Sequence, residues 1–247
     1  MLHRDEANNI LLEKGWLSHT PPSFQQSVIE RCNLQHYDQG DTVYSVGDPS
    51  GGMFGLLRGG LAISVAPGER EPYVAHFARP GAWFGEAAAI TGEPRKVGLM
   101  ATRETCLLML PLHAIREITG KDPATWRLFA MAALSHIDLA MGACDDLMIR
   151  DPANRCVAIL LRLAGRQHAS PADATPVEVD LSQSDIADMA NVARTTLNSI
   201  LRKLEIAGYL ELSYRRIRIL SPKALRVMLS GETRTRTLAT ANVMWPG

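Results

Sequence analysis

The 247-residue chain is poor in the features that announce chemistry. Its four cysteines, Cys32, Cys106, Cys144 and Cys156, never fall at C-x-x-C spacing, so it carries no zinc or iron–sulfur signature. No glycine-rich phosphate loop, nucleophile–base motif or metal-ligand spacing is present, and the expectation is a protein that is not an enzyme. His76 is a lone histidine on a strand-like run, which leaves no haem signature. The formal net charge is zero, so the whole-chain average favours no charged partner. No apolar run nears the length of a membrane span. The first sixteen residues, MLHRDEANNILLEKGW, lack the apolar core of a signal peptide. Together these absences point to a cytoplasmic protein with reduced thiols and no membrane partner.

What is there divides in two. Residues 1–148 hold 12 Lys+Arg against 17 Asp+Glu, whereas residues 149–247 hold 14 against 9. An acidic front and a basic back suggest two domains, the second suited to a polyanion. Residues 8–34 read as short helices broken at Pro21-Pro22. From about 38 to 110 come short β-prone runs at Thr42–Val46, Met53–Leu57, Leu61–Ala66, Tyr73–Phe77, Val97–Thr102 and Thr105–Leu110, punctuated by Gly and Pro. That pattern predicts a small antiparallel barrel or sandwich.

A long helix follows. Asp122 suits an N-cap and Pro123 a first helical position. From there to Ile149 the chain has no further Pro, and a helix of that length spans about 40 Å. Leu134, Ile137, Met141, Cys144 and Met148 recur at alternating steps of three and four, the a/d pattern of a helix–helix seam. The same stripe would serve for packing on the protein's own barrel, but the helix is longer than that needs, which favours a homodimer. Cys144 on this seam reads as a small core cysteine rather than a redox switch, since nothing basic adjoins it. Asp151-Pro152 ends the helix, and ANRCVAILLRLAGRQ begins another.

The stretch LSQSDIADMANVARTTLNSILRKLEIAGYLEL, residues 181–212, carries the strongest signal. Ser182 and Asp185 fit a capping box for a helix with Ile186, Met189 and Ala190 on one face. After the turn NVA, a second helix from Arg194 buries Leu197, Ile200, Leu201 and Leu204. Two short strands flank the basic tip YRR. This is a winged helix-turn-helix. Its exposed face offers Arg194, Thr195, Asn198, Ser199 and Arg202, side chains with the donors, acceptors and methyls that read base edges. Gln183, Thr196, Lys203, Arg215 and Arg216 suit the remaining DNA contacts, chiefly to phosphates. Six basic residues against two acidic ones between Arg194 and Arg218 weigh against a protein-interaction domain with a merely solvated face.

In that order, the elements resemble the Crp–Fnr family of bacterial transcription regulators, from about residue 10 to 230. YDQGDTVYSVGD, FGE…EPR and the helix-turn-helix stretch carry the resemblance. It implies an α+β fold: an N-terminal β-barrel of double-stranded β-helix or jelly-roll type, a long dimerisation helix and a C-terminal winged helix-turn-helix. The expected domains are 1–121 for the effector, 122–150 for dimerisation, 151–230 for DNA, and a tail at 231–247 with no assigned role. The resemblance also implies a homodimer on a palindromic DNA operator, a small-molecule effector in the barrel and RNA polymerase as a partner. An alternative is a cyclic-nucleotide-binding module acting on a protein partner.

In cAMP-binding members the FGE glutamate holds the ribose and the PR arginine the cyclic phosphate. Gly85, Glu86 and Arg95, with Lys96, are therefore the candidate effector residues. Lys96 stands where the family usually has a small residue, and Ala140 and Met141 stand where a base would be read. The ligand stays open between a cAMP-like nucleotide, a bulkier anion, and none, with a Glu86–Arg95 ion pair holding the loop.

Overall fold

A computed structural model describes residues 10–66, 68, 72–167 and 175–230. Most of the Pro/Ala/Ser loop beginning at residue 168, and the tail from 231, lie outside the described residues. The chain divides into two compact units, Met1–Leu139 and Ala140–Gly247.

The first unit opens with α1 (residues 10–13), a 3-10 turn at Trp16–His19 and α2 (Pro22–Ile29). Strands β1 (Asn33–Tyr37), β2 (Thr42–Tyr44), β3 (Gly52–Arg58), β4 (Leu61–Val65), β5 (Tyr73–Ala78) and β6 (Trp83–Phe84) follow. Then come α3 (Glu86–Thr91), β7 (Gly98–Ala101), β8 (Thr105–Pro111) and α4 (Leu112–Lys121). The strands make two antiparallel four-stranded sheets, ordered β1-β8-β3-β6 and β2-β7-β4-β5. The roll is of jelly-roll type, and its sheets do not close into a barrel.

The alternation of strand side chains explains where the core sits. In β3, Phe54 and Leu56 face between the sheets, where they meet Tyr44, Leu61, Ile63, Phe84, Leu99 and Leu107. Met53 and Leu57 face the other way, into a second cluster with Leu108, Leu110, Ile115 and the aromatic rings of Trp16, Phe24, Trp83 and Phe129. A strand buried on both faces has no polar positions to alternate, so β3 reads as a continuous apolar run.

Helix α5 (Trp126–Met148) begins in this cluster. Asp122 accepts a hydrogen bond from the Ala124 amide at 3.0 Å, as its place before Pro123 predicts. Phe129 is fully buried, with its ring centroid 5.2 Å from that of Phe24 and 5.6 Å from that of Trp16. Trp16 Nε1 donates to the Leu128 carbonyl. Further along, Leu134, Ile137, Met141, Cys144 and Met148 are all exposed. The stripe is therefore not spent on the protein's own roll at these positions.

The sequence holds no unbroken apolar run of membrane-spanning length, but the helix over residues 123–148 passes by length and composition alone, with a mean hydropathy of 1.3 in an 18-residue window. The apolar character is interrupted by Ser135, His136 and Asp138, which is why no unbroken run shows in the sequence.

In the second unit, α6 (Pro152–Leu163) starts at Asp151, whose carboxylate accepts from the Asn154 amide at 2.8 Å. Cys156 to Leu163 are all buried, Arg162 among them. Arg162 Nε donates to Asp146 Oδ2 at 2.7 Å, so a buried charge has its partner. Burial nonetheless pushes the Asp146 carboxyl up, with Arg162 opposing it. Burial also raises the Cys156 thiol to about 11, which leaves it inert at neutral pH. β9 (Val177–Val179), β10 (Leu210–Ser213) and β11 (Arg216–Ile219) form a sheet ordered β10-β11-β9 beside α7 (Gln183–Met189), α8 (Arg194–Ile206) and α9 (residues 222–230).

Replacing Phe129 by Ala removes the ring that joins α5 to Trp16 and Phe24. It is expected to cost about 3–5 kcal/mol in urea denaturation. A loss well under about 1 kcal/mol would contradict this anchoring of the helix.

Candidate nucleic-acid interface and ligand site

The helix-turn-helix assembles as its sequence predicts. Ser182 Oγ accepts from the Asp185 amide at 3.1 Å, and Asp185 Oδ2 accepts from the Ser182 amide at 3.1 Å, which completes the capping box. Asn191 takes a left-handed φ of 48° in the turn, a conformation that asparagine tolerates. Leu197, Ile200, Leu201 and Leu204 are buried on the inner face of α8. Arg194, Thr195, Thr196, Ser199, Arg202 and Lys203 are exposed on the outside, with Asn198 half-buried.

Two bonds from one side chain brace the motif. Arg155 Nε donates to the Ala190 carbonyl and its Nη1 to the Ile149 carbonyl, both at 2.7 Å. The end of α5 and the end of α7 are thereby held by one guanidinium.

A cleft of about 410 Å³ runs between the start of α7, Arg194 and the β10–β11 hairpin. Ser182, Gln183, Ser184, Arg194, Tyr214 and Arg215 line it. Tyr214 at the hairpin tip is 92% exposed. The predicted basic residues separate into two kinds. Arg202 pairs with Glu205 at 2.8 Å, and Arg216 lies 3.0 Å from Asp180 and 3.5 Å from Glu178. Among the described residues Arg194, Lys203 and Arg215 form no ion pair. Their charge is free for a polyanion, whereas Arg202 and Arg216 must leave a carboxylate to meet one. Glu205 also accepts from the Leu212 amide at 3.0 Å, and that bond, ahead of the one from Arg202, holds its carboxyl below the usual range.

In the roll, Glu86 and Arg95 are both buried, at 6% and 4% exposure. The ion pair between them that the sequence left open is absent. Arg95 Nη2 donates to the Gly52 carbonyl at 2.8 Å and Nη1 to the Gly85 carbonyl at 3.3 Å. Its guanidinium carbon sits 4.2 Å from the centroid of the Tyr44 ring. Burial lowers the pKa of Arg95, with Tyr44, Glu86 and Asp48 opposing it. Burial also pushes the Tyr44 hydroxyl well above its ordinary value. Arg95 Nε, Tyr44 Oη and Ser50 Oγ are buried without a hydrogen-bond partner. Buried polar atoms left this way are costly unless something supplies their bonds.

Glu86 instead meets His136 of α5, with Oε1 2.8 Å from Nδ1. The imidazole lies flat on Phe84, ring centroids 5.0 Å apart and planes 9° from parallel. Lys96 points outward and pairs with Glu93 at 2.8 Å. Sequence reasoning did not single out His136, Phe84 or Tyr44. The signal for His136 was its place, with Ser135 and Asp138, in a polar break in a largely apolar helix.

Comparison with known proteins follows the same division. Residues 34–122 match the cyclic nucleotide-binding domain, and residues 154–228 the Crp-like helix-turn-helix domain. The global nitrogen regulator of Synechocystis sp. is 25% identical over 195 residues, covering 78% of this chain and 86% of that protein. The CRP-like cAMP-activated global transcriptional regulator of Mycobacterium tuberculosis is 23% identical over 213 residues, covering 86% and 95%. FixK2 from Bradyrhizobium japonicum shares the fold with a TM-score of 0.66 at 18% identity, covering 79% of this chain and 96% of that one.

Gly85 takes a left-handed φ of 101°, packed against Arg95 and Gly52. A Cβ there would fall 2.4 Å from Arg95 Nη1 and 2.5 Å from the Gly52 carbonyl oxygen. Gly85→Ala is expected to cost about 1–3 kcal/mol, measured by chemical denaturation, because both the backbone and the guanidinium must move. An unchanged stability would mean that the loop tolerates a different closure.

Proposed function

The chain belongs to the Crp–Fnr family of DNA-binding transcription regulators, and from that premise we propose that it acts as a homodimer reading a two-fold symmetric operator. The observation that carries the proposal is Arg194, exposed, without an ion pair among the described residues and placed at the head of α8 beside the wing cleft. Arg194 is assigned to guanine, Asn198 to adenine and Thr195 to a thymine methyl, with Ser199 at a further base position. Gln183, Thr196, Lys203 and Arg215 hold phosphates and set the register. Arg202 and Arg216, tied to carboxylates, brace the helix and the wing, and reach the backbone only by exchanging those partners. RNA polymerase would be met on the DNA, in the cytoplasm.

The exposed stripe of Leu134, Ile137, Met141, Cys144 and Met148 supports the dimer. In this reading the first unit is the regulatory one. Gly85, Glu86 and Arg95 are its effector residues, and the orphaned Arg95 Nε, Tyr44 hydroxyl and Ser50 hydroxyl fit a small anion. Lys96, held outward by Glu93, contributes less than its position in the sequence implies. Not being an enzyme is part of the same proposal.

On an operator selected from random duplexes, Arg194→Ala is expected to cost about 1–3 kcal/mol of affinity by fluorescence anisotropy. Wild-type affinity should also fall steeply with salt. An unaffected variant, or binding indifferent to salt, contradicts the interface. In sedimentation, the wild type should run as a dimer and Met141→Glu as a monomer, because the substitution buries a charge in the seam. A monomeric wild type contradicts the seam.

A further inference from the structure

In the roll, a side chain of the long helix meets the candidate effector residue Glu86. Glu86, with its side chain 8% exposed, is the buried acid of the site, and the imidazole of His136 takes its Oε1. A carboxylate only accepts, so Nδ1 carries the proton of this bond. The same imidazole is stacked on Phe84, itself 6% exposed. A flat ring on an aromatic face, with an N–H directed at a buried carboxylate, is what a heteroaromatic ligand would present. His136 also lies between Leu134 and Ile137 of the exposed stripe, on a helix whose first turns are fastened by Phe129.

We propose that His136 is the internal occupant of this site. Stacked on Phe84 and bonded to Glu86, it latches the helix in the form that binds DNA, without any added ligand. An effector acting here is a flat heteroaromatic ring with an N–H donor, and it works by taking Glu86 and Phe84 from His136. This rests on the DNA-binding reading above and adds to it the state of the site and the class of molecule that changes it. The energy available is that of a neutral or charge-assisted hydrogen bond plus a ring contact, within the range in which allosteric couplings lie.

Imidazole is the probe. In His136→Ala the Phe84 face and the Glu86 carboxylate are left uncovered. The variant is expected to bind the selected operator at least about fivefold more weakly than wild type, and millimolar imidazole should restore both affinity and melting temperature. Imidazole should do neither for His136→Ala/Glu86→Ala, which lacks the acceptor. His136→Gln, which keeps a side-chain N–H, should fall between wild type and the alanine variant, and carries the test if the alanine variant does not fold. Operator affinity in His136→Ala equal to or tighter than wild type overturns the proposal, as does imidazole acting equally on the single and double variants. A wild-type protein that binds no DNA at all would instead defeat the underlying reading, whatever imidazole does to stability.

Discussion

The proposed dimer depends on one constraint: an apolar stripe on α5 that stays exposed among the described residues. The early turns of the helix are consumed by packing, with Phe129 and Ala132 buried beside Trp16 and Phe24. Beyond them Leu134, Ile137, Met141 and Met148 are each more than half exposed. Scattered exposed apolar residues are ordinary, but a row of them at heptad spacing on one helix is a surface waiting for its like. In the proposed dimer a second copy of the same helix supplies it.

The two ends of the chain use charge differently. In the roll, the two candidate effector residues are buried and committed: Arg95 to two backbone carbonyls, Glu86 to His136. In the helix-turn-helix they are exposed, and division of labour follows from pairing. The guanidiniums near Glu205, Asp180 and Glu178 stiffen the motif. Arg194, Lys203 and Arg215 remain available for a polyanion. A neutral chain can therefore bind DNA, because net charge averages over groups that do unlike things.

How much of this was legible in the sequence depended on the range of the forces involved. The helix-turn-helix could be read nearly to the residue, since Ser182, Asp185 and the Leu197–Leu204 face are set by contacts within one or two turns. Much of the roll was legible from Gly and Pro punctuation. β1 was not: Asn33–Tyr37 is largely exposed and becomes a strand only by pairing with β8, more than sixty residues away. The run EAAAIT carries no strong helix signal of its own and forms α3 between Gly85 and Gly92, both at positive φ. The Glu86–Arg95 pair was plausible in one dimension, where both sit in the same loop. In space Arg95 turns towards Gly52 and Tyr44, and a histidine fifty residues on takes the glutamate. Such a partnership has no local signature.

The central claim, a dimer seam that sets two recognition helices on one operator, is tested most directly by footprinting. Wild-type protein would be applied to a duplex selected from a random pool. The account predicts inverted half-sites about 10 base pairs apart, centre to centre, or a multiple of that, protected together at one protein concentration. A single asymmetric site, protected by one protomer, would contradict it.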